Sequence, residues 1–339
     1  MQADPAVTLK QIAERSGRSL AAVSYALRKH PKIPESTRNE IQRVADSLGY
    51  RANPRISNLM AYIRRSQHRP FGETIAFVWV HTSRSLARRD PFLKAVYSGA
   101  RKRAQQAGFS LEDFYTDDPG MTNRRLEEIL RTRGIVGVVL SPVTTSEATI
   151  ALDWDWSAFS PAVIGNVTWT PELHHAGHHH YLGMRMALMA MQEQGRTRPA
   201  ALIEPESNVR AKRAWEAAFL THHPLPSQAR SFLSIPDPAE PADPVSWVQK
   251  CNADALIVSA TGLLDTPRLR ATCKRRRIQL ATLYWNQDTR DIAGVDQCYE
   301  RIAGHAVDLV IAQLNANETG VPDLPRIMLF PGRWMSASG

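Results

Sequence analysis

The sequence predicts an all-α unit at the N-terminus, followed by an α/β body of two lobes with doubly wound parallel sheets. Three short helical patterns fill residues 8–48. From Thr74 onward, short apolar runs alternate with longer amphipathic segments, which is typical of parallel sheets covered by helices. The charge is uneven, because residues 1–65 carry 12 Lys and Arg against 5 Asp and Glu, whereas the rest carries 30 against 28. A basic N-terminal unit therefore precedes a nearly neutral body.

The first two helical patterns predict a helix-turn-helix. Thr8 and Gln11 have the spacing of a capping box, which marks the start of the first helix. Gly17 permits a tight turn because glycine accepts a positive φ, and Ser19 can cap the second helix. The second helix of such a motif lies in the major groove of DNA, whereas an ordinary helical hairpin is the alternative. Its outer face would carry Leu20, Ala21, Ser24, Tyr25 and Arg28.

A third helix is predicted over 34–48, with Gly49 as its C-terminal cap. Pro54 can open a further short helix that needs a partner, because an isolated helix of this length is marginal in water. The predicted domains are a head at 1–52, a hinge helix and linker at 53–72, and a body at 73–339. Within the body, we expect lobe 1 at about 73–165 and 287–319, and lobe 2 at about 166–286 and 320–339.

Composition excludes several classes of protein. The three cysteines, Cys251, Cys273 and Cys298, are too far apart in sequence for a disulfide framework or a metal-ligand spacing. No apolar segment has the length of a signal core or a membrane span, so we expect an intracellular protein without a membrane partner. No glycine-rich phosphate loop, nucleophile elbow or paired carboxylates point to catalysis, and we expect neither an enzyme nor a cofactor.

One histidine cluster has the spacing of a metal site on a helix. His174 and His178, or His175 and His179, would share one helix face. Gly177 weakens a helix there, and no cysteine or acidic ligand lies close in sequence. We therefore predict no metal site and expect a solvated start of the helix over 178–194, in the cleft or at its rim.

The head resembles the LacI/GalR family of bacterial transcription regulators. The resemblance rests on Thr8-Leu9, Ile12-Ala13, Ser16-Gly17, Ser19, Val23-Ser24, Thr37-Arg38 and Leu48-Gly49-Tyr50-Arg51-Ala52-Asn53-Pro54. A looser match in the body rests on Ala255–Val258 and Gly294–Gln297. The resemblance implies a two-lobed, periplasmic-binding-protein-like body, a homodimer and a double-stranded DNA operator. It also implies a cytoplasmic, nucleoid-associated repressor controlled by a small-molecule effector, a sugar or a derivative.

For DNA contact, the resemblance implies base reading from the second helix and insertion of Leu59 into the minor groove. Phosphates would be neutralised by Lys10, Arg15, Arg28, Arg51 and Arg55. The predicted DNA-binding residues are Thr8, Lys10, Ser19, Leu20, Ala21, Ser24, Tyr25, Arg28, Asn53, Arg55 and Leu59. A ligand-independent regulator or an architectural DNA-binding protein with a degenerate cleft is the alternative.

The effector site departs from the family's sugar pattern at three places. An Asn-Asp pair is replaced by Ala260-Thr261, an arginine by Ala211 beside Arg210, and an aspartate by Trp285 after Tyr284. From positions at strand ends and between the lobes, the predicted effector-binding residues are Phe92, Arg210, Tyr284, Trp285, Asn286 and Gln297.

Overall fold

A computed structural model describes residues 8–27, 33–48, 50, 73–144, 149–237, 243–260, 262–263 and 267–337. The chain divides into two compact units, Met1–Pro70 and Phe71–Gly339. The predicted hinge helix, with Leu59, lies outside the described residues, as does Gly49. Among the described residues, no helix has both the length and the apolar character needed to cross a membrane.

The first unit contains three helices: α1 (Leu9–Ser16), α2 (Leu20–Ala26) and α3 (Glu35–Ser47). The predicted capping box is present, since the Gln11 amide donates to Thr8 Oγ1 and the Thr8 amide donates to Gln11 Oε1. Gly17 ends α1 with a φ of 63°, and the Ala22 amide donates to the Ser19 hydroxyl at 3.2 Å. The buried core consists of Ile12, Ala13, Val23, Ala26, Ile41 and Ala45.

Helix α3 begins one residue later than predicted. Pro34 is extended and stands before the helix, where its missing N–H costs no intrahelical hydrogen bond. Ile41 and Ala45 are buried, while Val44 and Leu48 pack against them. The short helices thus bury one apolar stripe each and leave their other faces exposed.

Lobe 1 is built on a six-stranded, fully parallel sheet in the order β13-β7-β5-β3-β1-β2. Its strands are β1 (Thr74–Trp79), β2 (Ser110–Tyr115), β3 (Gly137–Leu140), β5 (Ser160–Ile164), β7 (His174–His178) and β13 (Ile327–Phe330). Its helices are α4 (Arg84–Arg89), α5 (Pro91–Gln106), α6 (Asn123–Thr132) and α12 (Tyr299–Ala316). A small parallel pair, β4 (Thr149–Ala151) and β6 (Thr168–Thr170), lies apart from the main sheet in hydrogen bonding.

Lobe 2 has a second six-stranded sheet in the order β14-β12-β11-β10-β8-β9, with only β14 antiparallel to its neighbour. The strands are β8 (Pro199–Leu202), β9 (Leu233–Ser234), β10 (Ala255–Val258), β11 (Gln279–Thr282), β12 (Ala293–Asp296) and β14 (Arg333–Met335). The helices are α7 (His180–Glu193), α8 (Pro205–Arg210), α9 (Ala214–His222), α10 (Pro244–Lys250) and α11 (Pro267–Arg276). Short 3-10 turns lie at Trp156–Ala158, Pro226–Phe232 and Gln287–Thr289.

The strand pairing gives lobe boundaries that differ from the expected ones. Strands β7 and β13 belong to the sheet of lobe 1, although 166–286 and 320–339 were expected in lobe 2. Strand β12 belongs to lobe 2, although 287–319 was expected in lobe 1. The chain therefore crosses between lobes after β7, β12 and β13. Sequence periodicity finds a strand but not its partner, because partners are chosen by contacts distant in sequence.

The expectation that the histidine cluster is a solvated helix start is wrong. His174–His178 forms strand β7, which pairs with β5 on one side and β13 on the other. His174 and His178 are buried, and helix α7 begins only at His180. Among the described residues, no group of three or more His, Cys, Asp or Glu is arranged to hold a metal ion.

The sequence pattern over 208–221 predicts one helix, but the structure has two, α8 and α9. Lys212 and Arg213 have φ values of 51° and 57°, which separate α8 from α9. Left-handed residues cannot continue a right-handed helix. This break directs α8, with Arg210, along the edge of the space between the lobes, where Arg210 and Ala211 line a cavity.

Candidate nucleic-acid interface and ligand cleft

Helix α2 presents two large side chains to solvent. Leu20 is 54% exposed and Tyr25 is 41% exposed, whereas Val23 on the opposite face is fully buried. The N-cap Ser19 holds the start of the helix in place through its hydroxyl. A helix fixed at its start and open along one face can enter a DNA major groove, where apolar and aromatic side chains contact thymine methyl groups.

Other predicted DNA-binding residues have mixed placements. Lys10 and Thr8 are exposed, although the Thr8 side chain also caps α1. Ser24 is half-buried, and Ala21 lies in α2. Arg18 forms an ion pair with Glu40 at 3.0 Å, so part of the positive charge of this unit is balanced locally. Arg28, Asn53, Arg55 and Leu59 lie outside the described residues, as does Arg51.

The second candidate site is a cavity of about 290 Å³ between the two lobes. Lobe 1 contributes the segments that follow β3 and β5, and lobe 2 contributes α8 and the end of β10. These are the carboxyl ends of parallel strands, where ligands of α/β proteins usually bind. Four predicted residues line this cavity: Phe92, Arg210, Tyr284 and Gln297.

Trp285 and Asn286 line a neighbouring cavity of about 510 Å³ instead. The side-chain oxygen of Asn286 accepts hydrogen bonds from the amides of Asp288 and Thr289 at 2.9 and 3.2 Å. Asn286 therefore fixes a 3-10 turn. The two cavities share Phe92, Tyr284, Gln297 and Tyr299 as lining residues.

An aromatic cluster lies where the two cavities meet. The Phe92 ring is 4.6 Å from the Tyr299 ring and 5.5 Å from the Tyr284 ring, both edge to face. Burial raises the pKa of both tyrosines, although Arg210 acts in the opposite direction. Both hydroxyls consequently keep their protons at neutral pH and can donate hydrogen bonds.

The charged side chains of the cavity are tied into a network. Arg210 Nη2 donates to the Ser207 hydroxyl at 2.9 Å, and that hydroxyl donates to Glu204 Oε2 at 2.9 Å. The Glu204 amide in turn donates to the Ser259 hydroxyl at 2.9 Å. This network links α8 to the end of β10 and fixes the orientation of the Arg210 side chain.

Lining residues that sequence reasoning missed include Asn166, His180, Trp215 and Tyr299. Asn166 follows the apolar strand β5, so its position near a strand end was an available signal. His180 was not among the predicted effector-binding residues, although the histidine cluster was expected in the cleft or at its rim, and the ring is buried rather than solvated. Its ring is 4.6 Å from the Trp215 ring, and burial lowers its pKa well below the ordinary value, which keeps the ring neutral.

The architecture defines a class of protein: a basic helix-turn-helix unit followed by a two-lobed α/β body with a cavity between its lobes. Residues 8–53 match the family model described as bacterial regulatory proteins, lacI family. The chain therefore carries a lacI-family DNA-binding domain at residues 8–53. No curated protein sequence matches the chain.

Several solved structures resemble this chain over most or nearly all of its length. The transcriptional regulator CelR in complex with cellobiose is 16% identical, covers 98% of this chain and 100% of its own, and has a TM-score of 0.55. A LacI transcriptional regulator from Lactobacillus brevis is 11% identical, covers 77% of this chain and 99% of its own, and has a TM-score of 0.54. The Lac repressor bound to ONPG is 15% identical, covers 97% of this chain and 98% of its own, and has a TM-score of 0.50. These similarities show that the chain shares the fold of these regulators.

Proposed function

We propose that this protein is a sequence-specific repressor, acting as a homodimer on a pseudo-palindromic operator. The observation that carries the proposal is the exposed face of α2 within a lacI-family head. Leu20, Ala21, Ser24 and Tyr25 read the bases, and Lys10 and Arg15 neutralise phosphates. Such a protein works in the cytoplasm, at the nucleoid, and regulates by binding without catalysing a reaction.

Operator affinity in this proposal is controlled by a small molecule in the interlobe cavity. The cavity is enclosed by residues of both lobes, so a ligand there stabilises one arrangement of the lobes over others. The sequence resemblance implies a sugar or a derivative, and one structural neighbour is a cellobiose complex. The coupling between ligand and operator is expected to be about 1–3 kcal/mol.

Operator selection from random DNA tests this function. We expect a single palindromic sequence to be enriched and protected in footprints, with affinity that falls steeply as salt increases. Leu20→Ala and Tyr25→Ala should each weaken specific binding by roughly tenfold, since each removes a base-edge contact, while non-specific binding stays unchanged. Leu86→Ala is the matched control, because Leu86 is a similarly exposed leucine in the body. Protection without sequence preference would instead support an architectural DNA-binding protein.

Leu59→Ala tests the predicted hinge helix. Inserting an apolar side chain between base steps bends the duplex, so its loss should weaken operator binding by roughly tenfold or more. Leu324→Ala, which truncates an 84% exposed leucine of the body, serves as the control. Gel-shift titration provides the measurement, and equal operator affinities for Leu59→Ala and wild type would remove the proposed minor-groove contact.

A further inference from the structure

A separate cavity of about 550 Å³ lies in lobe 1, at the sheet edge formed by β2. It is bordered by α4, α5, β2 and the end of β1. Two of its lining residues, Trp79 and Tyr115, are only 2% and 4% exposed, so the cavity reaches the buried core of the lobe. Among the described residues, none lines both this cavity and the interlobe cavity. It is therefore a site distinct from the proposed effector cavity.

One face of α5 forms a wall of this cavity. The lining residues of α5 are spaced so that they share one side of the helix: Lys94, Tyr97, Ser98, Arg101, Lys102 and Gln105. Neighbours on such a face have Cβ atoms about 5–6 Å apart. Arg88, near the end of α4, adds a further cation. Four cationic side chains thus line one cavity at short distances from one another.

These four cations are not balanced by the protein. Among the described residues, no ion pair or side-chain hydrogen bond involves Arg88, Lys94, Arg101 or Lys102. Nearby arginines outside the cavity are paired, Arg84 with Asp118 at 2.6 Å and Arg103 with Asp308 at 2.6 Å. Like charges around one cavity repel one another, and a bound anion would remove that repulsion.

Asp113 is the single carboxylate among the described lining residues. Burial, and then Asp113, raise the pKa of both Tyr97 and Tyr115, because the carboxylate lies near both hydroxyl groups. Arg101 acts on the pKa of Tyr97 in the opposite direction, and Arg88, with Arg84, does so for Tyr115. The cavity therefore has a cation near each tyrosine and one acceptor that lies near both.

The placement of the charges favours a ligand with two anionic groups. Lys94 and Arg101 are seven residues apart on α5, which is about 10 Å along the helix axis. One phosphoryl group cannot contact both, whereas two groups on a single small molecule can. Tyr97 lies between these positions on the helix, with Asp113 beside its hydroxyl, and a carboxylate accepts from hydroxyl or N–H groups. The volume lies within the range of small-molecule pockets.

We propose that this cavity binds a small organic bisphosphate, whose two phosphoryl groups are separated by a neutral part with hydroxyl or N–H donors. Arg101 and Lys102 bind one phosphoryl group, and Arg88 and Lys94 bind the other, through charge-assisted hydrogen bonds. Asp113 accepts from the part between them. The site does not depend on the proposed function, because its residues belong to neither the DNA-binding face nor the effector cavity.

Titration calorimetry of the full-length protein tests the inference with two bisphosphates, adenosine 3′,5′-bisphosphate and glucose 1,6-bisphosphate. AMP and glucose 6-phosphate are the matched ligands with one phosphoryl group. We expect at least one bisphosphate to bind roughly tenfold or more tightly than its monophosphate counterpart, since it gains a second set of charge-assisted contacts. The affinity should fall as salt increases. Which bisphosphate binds distinguishes a nucleotide from a sugar as the neutral part.

Two variants locate the binding site. Arg88→Gln and Arg101→Gln should each weaken bisphosphate binding roughly tenfold, because each removes a charged partner of one phosphoryl group. Both side chains are exposed, and the melting temperature without ligand checks that each variant is folded. Arg275→Gln is the matched control, since it removes the same charge from an exposed position on α11 and should leave the affinity unchanged.

Four results would overturn the inference: no binding of either bisphosphate, equal affinity for the matched monophosphate, an equal loss of affinity in Arg275→Gln, or full affinity in both Arg88→Gln and Arg101→Gln. The last would place the ligand elsewhere, such as on the basic head. Operator binding without bisphosphate is measured separately. Failure of the bisphosphate site therefore leaves the proposed function standing, and failure of operator binding leaves the site standing.

Discussion

Gly99→Ala is expected to destabilise lobe 1 by about 3 kcal/mol, because α5 and α12 are in backbone contact at this glycine. A β-carbon at residue 99 would lie 2.6 Å from the Cα of Glu300 and in direct overlap with the Glu300 carbonyl oxygen. Backbone atoms at the start of α12 cannot rotate away as a flexible side chain would. The helices must separate, which removes buried contacts along the apolar faces that both helices share.

Gly304→Ala is the matched control on the same helix pair. A β-carbon there would lie 3.4 Å from the Cβ of Arg103, which is at the edge of ordinary contact. Alanine also favours a helix over glycine by about 1 kcal/mol, so the net change should be small. Thermal unfolding followed by circular dichroism measures both variants. A Gly99→Ala protein that melts with wild type would contradict the close packing of the two helices.

The second large effect is loss of stability in mild acid. Burial lowers the pKa of His178 to about 4. The Asp296 carboxylate and the Phe330 backbone oppose this shift, but neither ring nitrogen of His178 has a hydrogen-bond partner among the described residues. The unfolded chain binds a proton at about pH 6.5, and the folded chain does so only near pH 4. The contribution to stability is therefore complete above pH 6.5 and is lost as the pH falls toward 4.

His178 alone should cost about 2 kcal/mol between pH 7.5 and pH 5. The loss should be larger in total, because burial also lowers the pKa values of His174, His175 and His180. Urea unfolding at pH 5, 6 and 7.5 measures the slope, and His178→Gln should flatten it. Proton NMR titration of the wild-type imidazoles reads the pKa directly. A His178 signal that titrates near pH 6.5 would contradict the buried, neutral ring.

His178 lies where the chain crosses between the lobes. A β-carbon at Gly332 would be 3.0 Å from the His178 ring and 2.6 Å from the Asp296 carbonyl oxygen, so segments after β7, β12 and β13 meet there. The His179 amide also donates to the Phe330 carbonyl at 2.7 Å. Asp296 holds Arg333 through hydrogen bonds of 2.9 and 2.8 Å. Protonation at His178 would therefore place a positive charge where these three crossing segments meet.

Local signals predicted the head correctly. The capping box of Thr8 and Gln11, the turn at Gly17 and the cap at Ser19 each depend on residues within four positions of one another. Such contacts form within a short peptide segment and leave a pattern in the sequence. The base-reading residues remain predictions, because an exposed side chain on α2 gains its role only with DNA present.

Distant contacts explain the errors in the body. The histidine cluster became a buried strand because β13 pairs with it, and the Arg326 amide donates to His174 Nδ1 across 152 residues of sequence. A glycine at 177 also leaves room for the Asn166 side chain beside the strand. Neither the partner strand nor the space above the strand can be inferred from the spacing of the histidines.

By itself, the sequence determined the helix-turn-helix head, the alternation of strands and helices, and a lobed body with a cleft at the strand ends. These features follow from caps and periodicities that act over a few residues. Only the tertiary structure decided which strands share a sheet, where the chain crosses between lobes, and that Asn166, His180, Trp215 and Tyr299 meet Gln297 at one cavity. Those outcomes depend on packing between segments far apart in the chain, and this packing cannot be predicted from a local sequence pattern.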